Sequence, residues 1–217
     1  KTMIEDVKPF TFIPKLVKSP LNGRIDDRTN YTPSRQSFTV TDSKESITFT
    51  GAMEDGTPVK KTYTFHPDRY TVDIKIDVPG GEGKEIFADF AVITGTNPNS
   101  YVFKGSFVYD GKKLNQIDKI EKPVDVGTNY RYTGFDEGYF AFIWMPATDT
   151  KPSAKIVKTD TSVPVLQLKL DNSSLSGSVF FGPKDTEVLK SLNIDAQKII
   201  DFGWFDIIAK PLIWALN

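Results

Sequence analysis

The sequence predicts an all-β molecule, a large antiparallel sandwich followed by short C-terminal helices. Period-two alternation recurs from Gln36 onward. It is cleanest where Tyr70, Val72, Ile74, Ile76 and Val78 alternate with Thr71, Asp73, Lys75 and Asp77. Alternation of that length marks a half-buried antiparallel strand. Turn signals such as Asp55-Gly56, Gly80-Gly81 and Asp110-Gly111 punctuate the pattern at the spacing of a sandwich. After Gly182-Pro183 the apolar period changes to that of a helix.

Residues 1–35 read as an extended N-terminal segment packing on the sandwich. They are rich in Pro and polar residues, with a short strand at 10–13. Residues 36–183 form the sandwich. Its strands are expected at 46–50, 59–65, 70–78, 85–93, 101–109, 115–121, 138–145, 154–159, 163–170 and 174–181. In the second of these, Val59, Lys61, Tyr63 and Phe65 share one face. Residues 138–145 are apolar on both faces, which predicts a central strand. Residues 184–217 supply C-terminal helices leading to a membrane. Asp185 caps a helix that runs to Leu192 and ends at Asn193, and Asp195 caps a second over 196–202. The Gly182-Pro183 link is too short to separate two bodies, so the whole is one structural domain.

Composition removes several classes of function. Lys and Arg number 27 against 28 Asp and Glu, a net charge of −1, and no block of like charge stands out. A nucleic-acid binder needs a basic excess or face, so nucleic acid is not an expected partner. The chain has no Cys, which removes disulfides, thiolate nucleophiles and Cys-type zinc sites together. No run reaches the ~18 apolar residues a spanning helix requires. The start at Lys1 and the apolar, uncapped end read as boundaries inside a longer chain.

Candidate chemistry is sparse. His66 is the only histidine, so multi-His metal sites and two-His epimerase sites cannot be built. A Ser-His-Asp triad needs only one, but His66 lies on a polar strand face before Pro67 and reads as solvated or turn-capping. Asp73 and Asp77 share one outer strand face and read as solvated, and Asp136-Glu137 reads as a turn pair. Gly80-Gly81-Glu82-Gly83 is a hairpin loop. Gly182-Pro183-Lys184 is a strand-to-helix corner without the residues of a phosphate cradle. No cofactor and no metal site is predicted. The aromatics Tyr130, Tyr132 and Phe135, with Tyr139, Phe140, Phe142 and Trp144 nearby, read chiefly as core and cross-strand pairs. Tyr130, Tyr132 and Phe135 are also the candidates for a partner or ligand cleft.

The last fifteen residues, 203–217, carry the sharpest functional signal. At helical spacing Trp204, Ile208 and Leu212 stack on one side with Phe205 beside them, while Asp206 and Lys210 face the other way. Trp204 and Trp214 bracket the apolar face, as aromatic residues do at a membrane interface. Pro211 interrupts the segment near Lys210. Trp204, Phe205, Ile208, Leu212 and Trp214 are the candidate membrane-interface residues, with docking on the sandwich core as the alternative.

Four stretches together resemble the periplasmic domain of the YidC family of bacterial membrane protein insertases. They are Ile47–Phe65 with Tyr70, then Gly134-Phe-Asp-Glu-Gly-Tyr-Phe through Pro146, then Val179-Phe-Phe-Gly-Pro-Lys-Asp185 with Leu189, and last Ile200-Asp-Phe-Gly-Trp-Phe205 with Ala209-Lys-Pro-Leu212. Their order and spacing over residues 46–216 carry the likeness; residues 1–45 fit it poorly. The resemblance implies an antiparallel β-supersandwich, a fold shared with sugar-mutarotase-like enzymes. It also implies a place on the periplasmic side of the inner membrane, held by flanking transmembrane helices, and a non-catalytic role. The implied partners are nascent membrane proteins and the Sec translocon with its accessory subunits. A carbohydrate-binding or mutarotase-like domain on the same fold is the competing reading.

Overall fold

The computed structural model of the chain describes residues 11–17, 30–53, 55–91, 105–158 and 164–200. The first strands are β1 (Thr11–Val17), β2 (Thr32–Pro33), β3 (Glu45–Ala52), β4 (Pro58–Phe65), β5 (Thr71–Asp77), β6 (Phe87–Ala91) and β7 (Gly105–Tyr109). They are followed by β8 (Leu114–Ile117), β9 (Val124–Gly127), β10 (Tyr132–Asp136), β11 (Phe140–Pro146), β12 (Ala154–Lys158), β13 (Pro164–Lys169) and β14 (Ser174–Pro183). A short helix, α1 (Thr186–Lys190), and a 3-10 turn at Ala196–Ile199 come last.

The strands form two antiparallel sheets. The smaller has the order β1-β6-β13-β12-β9, and the larger β2-β3-β4-β5-β14-β11-β10-β7-β8. Alternate residues of each inner face fill the space between them. Ile74 and Ile76 of β5 meet Leu166 and Leu168 of β13 and Ile156 of β12 in one apolar cluster. Phe90 of the small sheet packs on Phe142 and Trp144 of the large one, with ring centroids 5.6 and 5.5 Å apart. That interleaving is how two sheets share one dry core.

A second core lies on the outer face of the large sheet. There Phe107, Tyr109, Tyr132, Ala141, Ile143 and Phe180 are covered by Leu189 of α1 and by Ala196 and Ile199 of the 3-10 turn. This explains the double-sided apolar pattern of 138–145. In β11, Phe142 and Trp144 face the other sheet while Ala141 and Ile143 face the helical cover. The strand lies between β10 and β14, inside the sheet as expected.

Several elements differ from the sequence expectation. The N-terminal strand is Thr11–Val17, longer than 10–13, and it runs through Pro14. Proline cannot donate to a ladder, and β1 tolerates it because it is an edge strand whose register shifts between Thr11 and Lys15. The sequence pattern marks neither β10 nor the short β9, because Gly134 and Asp136 interrupt the apolar run of one and charged loops flank the other. The helix expected over 196–202 is a 3-10 turn. Asp195 does not cap it by a side-chain hydrogen bond; its backbone is left-handed at φ 61°. Asp185 does cap α1, accepting from the N–H groups of Glu187 and Val188 at 2.9 and 3.0 Å. Lys61 stays on the apolar face the alternation assigns it: it is buried, with its ammonium 4.0 Å from the Tyr31 ring centroid. The expected parts of strands at 92–93, 101–104, 159 and 163 lie outside the described residues.

Candidate functional site

A groove of about 920 Å³ runs along the outer face of β4, β5 and β14, beside residues 191–193 that follow α1. Its floor is polar because the outward positions of β4, β5 and β14 are Thr62, Thr64, Thr71, Asp73, Ser176 and Ser178. Met145, Pro146 and Leu192 supply an apolar wall. Among the described residues that line it none is aromatic, so they offer no ring for a sugar face to stack upon.

His66, Asp73 and Ser178 meet beside this groove. Asp73 Oδ2 lies 2.8 Å from His66 Nε2, and Ser178 Oγ donates to Asp73 Oδ1 at 2.6 Å. The carboxylate therefore stands between the other two. A serine nucleophile must pass its proton directly to the imidazole, and here serine and histidine each hydrogen-bond to the aspartate. The trio cross-links β5, β14 and the residue that follows β4. His66 is thus a half-buried partner of Asp73, not a freely solvated ring.

The strand-to-helix corner is built around a buried ion pair. Lys184 Nζ donates to Asp136 Oδ2 at 2.6 Å, with side-chain exposures of 6% and 1%. Asp136 Oδ1 also accepts the Gly138 N–H at 2.7 Å, and the Lys184 N–H donates to the Tyr139 carbonyl at 2.8 Å. The turn pair expected at Asp136-Glu137 is thus half structural: Asp136 ends β10 inside the molecule. The first free N–H groups of α1 are occupied by the Asp185 carboxylate, which leaves no anion cradle at that corner.

The cleft candidates are distributed over two faces. Tyr130 and Phe135 lie in the core between the sheets, and Tyr132 lies in the outer cluster beneath the helical cover. All three are buried. Tyr130 donates to the Pro152 carbonyl at 2.9 Å and Tyr132 to the Asp195 carbonyl at 3.2 Å. Burial pushes both phenols well above the ordinary tyrosine range. The structure does not bring the three to a common surface. Trp204, Phe205, Ile208, Leu212 and Trp214 lie outside the described residues.

One titrating group is not singled out by the sequence. Asp89 in β6 is buried, and burial raises its carboxyl to about 6. Its Oδ1 accepts from Gln167 Nε2 at 3.0 Å, while Gln167 Oε1 is buried without a hydrogen-bond partner. Alternation alone places Asp89 on an outward face and gives no sign that the face is covered. Among the described residues no cluster of three His, Cys, Asp or Glu could hold a metal ion, and no helix is long and apolar enough to cross a membrane.

Two facing antiparallel sheets with a helical segment clamped on one outer face define a β-supersandwich domain. The chain belongs to the YidC periplasmic domain family, whose model matches residues 12–215. The membrane protein insertase YidC of Syntrophus aciditrophicus is 25% identical, over 82% of this chain and 36% of that protein. The membrane protein insertase YidC of Burkholderia cenocepacia (strain J2315) is 29% identical, over 100% of this chain and 43% of that protein. The chain thus spans about two fifths of the length of these relatives. Among solved structures, the α-galactosidase AgaA of Geobacillus stearothermophilus aligns with a TM-score of 0.46 at 7% identity, over 79% of this chain and 30% of that one.

Proposed function

We propose that this chain is the periplasmic domain of a membrane protein insertase of the bacterial inner membrane. It serves the insertase as a scaffold, contacting nascent membrane proteins or the accessory subunits of the Sec translocon, and it catalyses no reaction. The observation that carries this reading is the family match over nearly the whole chain, 12–215. The described side chains support it. The one histidine and its neighbours form a cross-link and not a nucleophile, and the described residues lining the groove include no stacking ring. As part of the same proposal, the apolar segment 203–217, read from its sequence alone, lies along the membrane surface through Trp204, Phe205, Ile208, Leu212 and Trp214 and joins the domain to the insertase proper.

The test uses the full-length insertase with and without this domain, in membranes that also hold the Sec translocon. Deletion weakens co-purification with the Sec accessory subunits severalfold, while a small Sec-independent substrate still inserts. Unchanged co-purification after deletion refutes the scaffold role.

A further inference from the structure

The chain's net charge of −1 conceals a basic patch where β7 ends. Tyr109 is its hub. The residue is wholly buried, and it holds three stretches of chain together. Its carbonyl accepts the Arg131 N–H at 2.7 Å. Its hydroxyl accepts from Lys198 Nζ at 2.7 Å and donates to the Gly111 carbonyl at 2.9 Å. The turn that follows is closed by Asp110, whose Oδ1 accepts the N–H groups of Lys112 and Lys113, each at 2.7 Å. Lys112, Lys113, Arg131 and Lys198 are thereby gathered around one side chain, and all four are exposed.

Two carboxylates stand among them, Asp110 and Asp195, which leaves the patch a net charge of +2. Asp110 is taken up by the turn's N–H groups, and Asp195 Oδ2 lies 3.2 Å from the Tyr109 hydroxyl. Among the described residues neither the Lys112 nor the Lys113 ammonium is hydrogen-bonded. No run of like charge marks the patch in the sequence, because its members come from positions 112, 113, 131 and 198.

The place of the patch in the chain favours one occupant. Gly203, where the apolar segment begins, is five residues beyond Lys198. A chain spans at most about 3.6 Å per residue, so Lys198 stands within roughly 18 Å of that segment by any route. Membrane-surface segments bind through apolar area together with attraction to anionic headgroups. Each Lys or Arg near an anionic surface adds about fivefold in affinity, so four cations alone give attachment of only about millimolar strength. Beside an apolar segment they decide which lipid is preferred.

We infer that Lys112, Lys113, Arg131 and Lys198 form a contact surface for anionic phospholipid headgroups, so that this face of the sandwich meets the membrane. This rests on the reading of 203–217 as a membrane-surface segment.

The test titrates the 217-residue chain with phosphatidylcholine vesicles, alone or containing phosphatidylglycerol. Tighter binding to the anionic vesicles is expected, with the excess lost at high salt. Lys112→Gln with Lys113→Gln is expected to weaken anionic binding roughly tenfold and leave phosphatidylcholine binding unchanged. Lys155→Gln with Lys158→Gln makes the same change in net charge on β12 of the smaller sheet and is expected to alter neither. Equal binding to both vesicles, or equal weakening by the two double variants, overturns the patch and leaves the segment's reading standing. Weak binding confined to anionic vesicles and lost in the Lys112/Lys113 variant keeps the patch and takes the segment off the membrane. Binding to neither vesicle overturns both.

Discussion

Asp89 is the residue whose surroundings and chemistry are most at odds. Its carboxylate is buried, one oxygen is held by Gln167 Nε2, and the other end of the same amide, Oε1, lacks a donor. Burial disfavours the charged carboxylate and raises its carboxyl to about 6, while the Gln167 hydrogen bond pulls the other way. Between the ordinary value of 3.8 and about 6 the folded chain binds more protons than the unfolded one. Stability is therefore greatest at the acid side of that window and falls as pH rises through it, by on the order of 2–3 kcal/mol. Asp89→Asn removes the buried charge at every pH and keeps an oxygen that can accept from Gln167 Nε2. Denaturant melts at pH 4.5 and 7.5 are expected to show the variant more stable than the parent at the higher pH and the pH dependence flattened. An unchanged slope counts against this account. Gly134 supplies a second test at the same scale. A Cβ built there lies 1.9 Å from the Phe142 carbonyl oxygen of the neighbouring strand. Gly134→Ala must push β10 and β11 apart, a strain of roughly 3 kcal/mol or more, read as a large drop in melting midpoint or loss of soluble protein.

At the scale of elements, the ion pair at the β14–α1 corner decides more than the helix does. A helix of five residues cannot stand alone. It is held by the Asp185 cap, by Leu189 in the outer core and by Lys184 in its buried pair. Lys184→Met leaves the Asp136 carboxylate buried without its cation, a loss of about 3–5 kcal/mol. Adding Asp136→Asn removes that orphaned charge and keeps an acceptor for the Gly138 N–H. The double variant is expected to recover much of the stability; chemical denaturation of the two side by side checks this. Additive losses would show that the pair's geometry matters more than its charge. Much of this scale was legible in the sequence. The cleanest alternation gave β5, the double-sided run gave β11, and Asp185 gave the start of α1. The features that were not legible share one cause. Asp136, Asp89 and Asp195 are polar residues whose partners lie 48, 78 and 86 positions away, Lys184, Gln167 and Tyr109. Local pattern reads such residues as turns, solvated faces and caps, since only the folded arrangement brings their partners to them.

For the molecule as a whole, the two cores give a direction to the domain. The inner core closes the sandwich, and the outer core clamps the route by which the chain leaves it. Past Ile200 the chain runs into the segment 203–217, whose reading as a membrane-surface element rests on its sequence alone: a Trp near each end, an apolar side, and Asp206 and Lys210 opposite. The chain's three tryptophans make the test clean. Trp144 is wholly buried between the sheets, so its emission is expected to stay the same when vesicles are added. A change in emission on adding vesicles therefore comes from Trp204 and Trp214. With phosphatidylethanolamine and phosphatidylglycerol vesicles the full 217-residue chain is expected to co-sediment and its emission to shift to the blue, and a chain ending at Ile200 is expected to do neither. Phe in place of both Trp204 and Trp214 removes the shift yet preserves most of the co-sedimentation, because the rest of the apolar stripe remains. If the full chain stays in the supernatant with its emission unmoved, the segment docks on protein.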